Sequence, residues 1–222
     1  MKSAWPLISK VLKRPASLLY HIWFYNSQVW TRVSWLGVVV YKSPLDLWNY
    51  QEIIHSLRPT LLIEFGSWAG GSARYFSSVL RDIGQPFKIL SVDIDHSRVN
   101  GYKDPAVTFM TADSASPEVA AKIAALRAEY PGPVFAILDS DHSKKHVLAE
   151  MENIRPLLRS GDYLIVEDSN LNGHPVAWRF GPGPYEALQE YFQRHPDDYA
   201  RDIAREEKFG FTQAPKGFLI RR

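Results

Sequence analysis

From about residue 45 onward, short apolar runs that end in glycine or an acidic residue alternate with longer stretches whose apolar positions recur every three or four residues. The first pattern predicts buried strands and the second amphipathic helices. "PLDLWNYQEIIHSL" has helical spacing, with Asp46 suited to an early turn, and "TLLIEFG" is a strand closed by glycine. "GGSARYFSSVLRDIG" is a helix with Gly84 past its end, followed by the strands "FKILSVDID" and "AVTFMTAD". "SPEVAAKIAALRAEY" is a helix opened by Ser116 as cap and Pro117 at the first helical position. A fourth strand, "PVFAILDSD", a helix, "SKKHVLAEMENIRPLL", a fifth strand, "YLIVEDS", and a helix, "GPYEALQEYFQRH", come next. "REEKFGFTQAPKGFLIRR" predicts a closing strand pair around a Pro-containing turn.

Such alternation predicts an α/β fold. The expectation is a Rossmann-like, doubly wound, mostly parallel seven-stranded sheet with an antiparallel C-terminal edge. A Trp-rich helical extension over residues 1–44, serving as lid or dimer arm, precedes one domain over residues 45–222. Ligands of such sheets bind at the carboxyl ends of the strands. Glu64, Asp93, Asp95, Asp113, Asp139, Asp141, Glu167 and Asp168 all fall at or just past predicted strand ends, on one rim.

Composition changes this picture in two places. The chain has no cysteine, which excludes disulfides, thiolate metal sites and Cys nucleophiles and fits a reducing compartment. Charge is uneven beneath a net +2: Lys2, Lys10, Lys13, Arg14, Arg32 and Lys42 precede the first acidic residue, Asp46. Trp5, Trp23, Trp30, Trp35 and Trp48 crowd the same region. A basic, Trp-rich arm suits an anionic membrane surface or the face of a sugar; the plainer reading is a helical layer packing its aromatics on the core. The net charge does not suggest nucleic acid. No apolar run reaches a membrane span and the N-terminal stretch lacks a signal-peptide pattern, so the expected location is cytoplasmic.

The rim carries the chemistry. In "IEFGSWAGGSARY", Gly66, Gly70 and Gly71 let backbone approach a ligand at a helix N-terminus, or merely allow tight packing. The spacing is neither a dinucleotide fingerprint nor a phosphate loop. Asp93 ends the second strand, where an acidic residue commonly accepts from both hydroxyls of a ribose. Its plainer role is a cap, a role that suits Asp95 better. Asp113 and Ser114 stand where they would meet an adenine edge, or form a simple turn. Asp139, Asp141, Glu167 and Asp168 gather carboxylates at neighbouring strand ends. Their repulsion calls for a cation, a nearby Lys or Arg, or raised pKa values. A hard oxygen cluster suits Mg²⁺ or a similar ion, and Lys144 and Lys145 are the alternative partners. His142, three residues past Asp139, is the expected general base, with His174 in "NLNGHPV" the second candidate.

"IEFGSWAGGS", "SVDID", "LDSDHS" and "VEDSNLNGHPV" together resemble the class I S-adenosylmethionine-dependent methyltransferases, and within them the metal-dependent O-methyltransferases related to catechol O-methyltransferase. The leading "WLGVVVYKSPLDLWNYQEII", the "GHPV" loop and the closing "QAPKGFLIRR" are similar to the cephalosporin hydroxylase / rhamnosyl O-methyltransferase group. The resemblance runs from about Trp35 to the end. It implies that Glu64, Gly66, Gly70 and Ser72 line the methionine end of S-adenosylmethionine and that Asp93 holds its ribose. It further implies that Asp139, Glu167 and Asp168 bind the divalent ion, with His142 in the place of the usual basic residue. Two departures stand out: Glu-Asp replaces the Asp-Asn ligand pair of the catechol-type enzymes, and His replaces their Lys.

The function expected is methyl transfer to a hydroxyl of a sugar or glycoside, by an enzyme acting on a small-molecule or oligosaccharide acceptor. A catechol-like or antibiotic acceptor is the alternative. A homodimer is expected by analogy with the group, and a peripheral membrane contact through the basic N-terminal arm is kept open. Two rivals are weaker. An iron oxygenase lacks the distal histidine that "HPD" at His195 would need. A non-catalytic membrane-associated binding module would leave the rim without a task.

Overall fold

The computed structural model describes residues 5–222, with side chains from Arg14 onward together with Leu12; the side chains of Lys2, Trp5, Lys10 and Lys13 lie outside the described residues. In chain order the elements are α1 (Trp5–Asn26), a 3-10 turn (Val29–Arg32), the hairpin β1 (Ser34–Trp35) and β2 (Val38–Val39), α2 (Pro44–Leu57), β3 (Leu61–Phe65) and α3 (Gly71–Ile83). They continue with β4 (Lys88–Asp93), β5 (Val107–Thr111), α4 (Pro117–Glu129), β6 (Val134–Leu138), α5 (Lys144–Ile154) and β7 (Tyr163–Val166). The last are α6 (Pro184–Arg194), β8 (Tyr199–Arg201), α7 (Ile203–Glu207) and β9 (Phe218–Arg221).

Local chemistry sets the boundaries. Ser43 caps α2 by accepting from the Leu45 N–H at 3.2 Å, with Pro44 in the first turn. Ser116 and Pro117 open α4 in the same way. Gly84 ends α3 at φ +76°, in the left-handed region that favours glycine.

The seven-stranded sheet has the order β5-β4-β3-β6-β7-β9-β8. β5 to β7 run parallel, while β9 is antiparallel to both of its neighbours. β3, β6 and β7 are buried throughout, as two-sided packing of central strands requires. Alternate residues feed two cores. Ile63, Leu90, Ala136 and Leu164 pack with Val119, Ile123, Met151 and Leu188 of α4, α5 and α6. Leu62, Ile89, Phe135 and Ile165 pack with Tyr50, Ile54, Phe76 and Leu80 of α2 and α3. Val40 is buried in this second core, so the segment ahead of residue 45 is built into the same body.

One expectation is corrected. The closing strand pair is not formed within "REEKFGFTQAPKGFLIRR". Its first strand, β8, lies upstream, and the "REE" stretch ends α7. Asp202 explains the switch, because its side chain accepts from the Arg205 N–H at 3.1 Å and starts a helix there.

The antiparallel edge is fastened by Asp198. Its carboxylate takes Arg155 Nε at 2.5 Å, Arg221 at 2.9 Å and the Tyr191 hydroxyl at 2.7 Å. Burial works against the charged form, but these partners outweigh it and hold the carboxyl well below the usual range. A depressed folded-state pKa contributes stability above the unfolded value of about 3.9, lost as pH falls through the folded one. Asp198→Asn is expected to lower the melting midpoint at neutral pH by about 3 °C or more. It should also flatten the loss of stability on acidification below about pH 4, both read by thermal denaturation across pH. An unchanged acid limb would show that the clamp is not stabilising.

Candidate active site

Strand register builds the rim. Phe65 lies opposite Leu138, and Leu138 opposite Val166. The next residues therefore leave the sheet side by side: the Asp139 N–H donates to Phe65 O at 2.9 Å and the Glu167 N–H to Leu138 O at 3.0 Å. Gly66 is obligatory at the end of β3. It sits at φ +90°, and a Cβ there would lie 1.9 Å from the Asp139 carbonyl oxygen.

Lys42 holds these two strand ends together. Its Nζ lies 2.5 Å from Asp139 Oδ2 and 2.9 Å from Glu167 Oε1, with the lysine side chain only 2% exposed. The Tyr50 hydroxyl donates to the same Glu167 oxygen at 2.9 Å. Burial alone would discharge such a lysine, yet the charges of Asp139, Glu167 and Glu64 outweigh it and hold the ammonium above its usual range. This corrects the expected partners of the carboxylates. Lys144 instead pairs with Glu190 at 2.7 Å, and Lys145 is exposed on the same helix.

One lysine does not neutralise the rim. Burial raises Asp139, Glu167 and Asp168 above the usual carboxylate range, with Lys42 and His142 only partly offsetting it. Asp168 adopts φ +51°, a left-handed conformation that Asp tolerates better than most residues. There its Oδ2 stands 3.1 Å from His142 Nε2. Burial would lower the imidazole, but Asp168, Asp139 and Glu167 together hold it above its ordinary value. Asp139, His142 and Asp168 each offer a ligand atom within 4.8 Å of the others. Glu167 adjoins this group, with Oε1 engaged by Lys42 and Tyr50. Asp141 is exposed and accepts from the Ser143 N–H at 2.7 Å, which shapes the turn carrying His142.

The glycine loop lies beside this cluster. Asp93 Oδ2 accepts from the N–H groups of Ser67 and Trp68 at 2.8 and 2.9 Å, and Oδ1 from that of Asp95 at 3.1 Å. Its carboxylate thus braces the loop and keeps acceptor capacity on Oδ1. Asp95 shapes the next turn by accepting from the Ser97 N–H. Gly70, at φ +77°, precedes α3, whose first turn has no side-chain cap. Glu64 is fully buried; its Oε2 accepts from the Ser91 hydroxyl at 2.6 Å, whereas Oε1 has no hydrogen-bond partner. Ser72 lies near enough to draw its pKa down without a bond of ordinary geometry, and burial nonetheless pushes Glu64 up to about 6.

Asp113 is exposed and accepts from the Ala115 N–H at 2.9 Å. Ser114 is buried and tied to Glu150 at 2.5 Å and His146 at 2.9 Å. His174 stacks on Tyr185 with ring centroids 3.6 Å apart, and its Nε2 lies 3.0 Å from Glu186. It lines a groove of about 460 Å³ between α1 and the 206–215 segment, and the structure does not pair it with the rim carboxylates.

Three further features went unread in the sequence. Lys42 and Tyr50 are two. The third is the set of partners around Trp30, itself one of the tryptophans the sequence offers to a sugar face: Tyr25 stacks with Trp30, Trp30 meets Tyr41 edge-on, Tyr41 stacks with Trp68, and the Arg98 guanidinium sits 4.2 Å over Trp68. Tyr25 stands near enough to Asp168 for that carboxylate, after burial, to raise the phenol. The available signal was a lysine closing the apolar run "VVVYK" immediately before a capped helix.

The family model described as rhamnosyl O-methyltransferase/CmcI matches residues 27–222. The rhamnosyl O-methyltransferase of Mycobacterium leprae is 53% identical over 219 residues, covering 97% of this chain and 96% of that protein. That of Mycobacterium tuberculosis is 55% identical over 204 residues, covering 91% and 83%. Among solved structures, an apo form of CmcI superposes with a TM-score of 0.68 at 23% identity, covering 86% of this chain and 76% of that one. A CmcI structure with Mg and SAM gives 0.64 at 22% identity, covering 86% and 77%. These superpositions share the α/β fold with its mostly parallel sheet and antiparallel edge.

Replacing Lys42 with Met leaves Asp139 and Glu167 facing each other unpaired. The expected cost is about 3–5 kcal/mol of folding stability, read by urea denaturation with EDTA present. A change within about 0.5 kcal/mol would show that the lysine is not the counter-charge of the rim.

Proposed function

The chain belongs to the rhamnosyl O-methyltransferase/CmcI family, and from that premise we propose that it is an S-adenosylmethionine-dependent O-methyltransferase acting on a hydroxyl of a rhamnosyl or similar sugar. The observation that carries this reading is the 3.1 Å approach of His142 to Asp168 on the rim that Asp139 shares. An imidazole in that setting is equipped to take a proton from a hydroxyl.

The residues fit both groups that the chemistry requires. For a divalent cation, hard carboxylate donors and an imidazole converge where Lys42 leaves negative charge unbalanced. Asp139, Glu167 and Asp168 would hold it, Asp139 and Glu167 through oxygens that Lys42 does not engage. For the cofactor, the uncapped first turn of α3 offers N–H groups to a carboxylate, and the orphaned Glu64 Oε1 lies buried near that turn. Glu64, Gly66, Gly70 and Ser72 would line its methionine end and Asp93 its ribose. Asp113 and the buried Ser114 would bound the adenine.

A bound S-adenosylmethionine supplies the methyl group, and a bound divalent ion supplies positive charge that lowers the acceptor hydroxyl pKa. The chain's own residues do the rest. His142 accepts the hydroxyl proton on the ring nitrogen that Asp168 does not engage, and Asp168, held against Nε2–H, orients the imidazole and stabilises the imidazolium. Lys42 and Tyr50 keep Glu167 from rotating. The rings from Tyr25 to Trp68 offer flat faces for the C–H side of a sugar beside Asp168. His174, tied to Glu186, shapes the neighbouring loop and is the second candidate for the proton acceptor. Catalysis on this reading is mostly positioning and electrostatics.

Two sets of variants test the reading. His142→Ala is expected to lower kcat about 10²–10⁴-fold while S-adenosylhomocysteine affinity, read by calorimetry, stays within about threefold; normal turnover would remove His142 as the base. Trp30→Ala and Tyr41→Ala are expected to raise the acceptor KM about 3–10-fold with kcat retained. An unaltered KM would place the sugar elsewhere.

A further inference from the structure

Helix α1 has two unlike faces. Its inward strip holds the helix on the body. Buried His21 and Phe24 pack on Phe211 at centroid distances of 4.6 and 5.2 Å, the Ser17 hydroxyl donates to the Gly210 carbonyl, and His21 Nε2 lies 2.8 Å from Asn170 Nδ2. Burial lowers His21 to about 4, so the imidazole is neutral and can accept that amide hydrogen. The outward strip is apolar and open: Leu12, Leu19, Ile22 and Trp23 are 53%, 68%, 39% and 54% exposed. At helical spacing these four fall within one sector of roughly 100°.

Charge points to what covers this face. The first 45 residues contain six basic residues and no acidic one. Beside Lys42, which is committed to the rim, the positive charge of the segment comes from Lys2, Lys10, Lys13, Arg14 and Arg32. The acidic residues Glu206 and Glu207 line the groove at the inner side of the helix, together with Arg14 and Leu18. No helix among the described residues is long and apolar enough to cross a membrane. An apolar stripe within a purely basic segment matches a helix lying in the plane of a lipid interface.

We propose that the outward face of α1 docks on an anionic lipid surface. Leu12, Leu19, Ile22 and Trp23 enter the interfacial layer, and the net positive charge of the segment favours anionic headgroups. The C-terminal end of the same helix carries Tyr25 toward Asp168, so docking brings the mouth of the catalytic rim next to the surface. This goes beyond the methyl-transfer reading and is testable without it.

The experiment is flotation of the full chain with vesicles of phosphatidylcholine alone or mixed with phosphatidylglycerol. The wild-type chain is expected to float with the mixed vesicles, about tenfold or more less with phosphatidylcholine alone, and progressively less as salt rises. The double variant Leu19→Glu/Trp23→Glu, whose side chains face outward, is expected to stay in the soluble fraction with an unchanged melting midpoint. Light scattering on both proteins reads the competing occupant, a second copy of this chain. Three results would overturn the proposal: no flotation of the wild type, equal flotation of the variant, or a wild-type dimer that the variant dissolves without any vesicle binding.

Discussion

Asp139 and Glu167 leave adjacent parallel strands at the same level, where register allows them no other place, and Lys42 is the positive charge that lets them stay there. Its ammonium is inaccessible to water, so the pair of contacts is weakly screened and depends on close geometry. The rest of the site hangs on this arrangement. Lys42 comes from the residue before the α2 cap, and Tyr50, one face of α2 later, completes the hold on Glu167. The hairpin and α2 are thereby locked onto the strand ends. Through α1, the same N-terminal region brings Tyr25 to Asp168.

The division of labour among the carboxylates follows from that lock. Glu167 is held from behind by Lys42 and Tyr50. Asp139 is shared between Lys42 and the open rim. Asp168, turned outward by its left-handed backbone, faces His142. Three acids, Glu167 buried and Asp139 and Asp168 half-buried, share a single fixed cation and leave a deficit of positive charge, expressed as carboxyl groups raised above their ordinary range. A rim in that condition has room for one more cation and holds a histidine ready beside it. Metal-assisted activation of a sugar hydroxyl uses both properties.

The parallel core was legible because its strands are apolar on both faces and its helices carry ordinary caps; Ser116 and Gly84 mark their ends in the sequence itself. The rim was legible for a related reason, since acidic residues closing buried strands have one place to go. The closing strand pair was misread because Asp202 turns a stretch of mixed polarity into a helix, and the strand partner lies upstream at Tyr199–Arg201. Lys42 was missed because its partners, Asp139 and Glu167, are 97 and 125 residues away. Long-range pairing of that kind leaves no periodicity, and Lys144 and Lys145 looked nearer. Asp93 shows a subtler limit: its position at a strand end was legible, but its bracing of the Ser67 and Trp68 amides depends on the loop's path.

The most direct test of a metal-assisted sugar methyltransferase built on this rim is transfer of an isotopically labelled methyl group from S-adenosylmethionine to a simple rhamnoside, run with Mg²⁺ and again with excess EDTA. The expected result is a mono-O-methylated rhamnoside, formed with Mg²⁺ and suppressed about 100-fold or more by the chelator. Labelled product at the same rate in EDTA would contradict the role assigned to the carboxylates, and no labelled sugar under either condition would contradict the methyl-transfer reading itself.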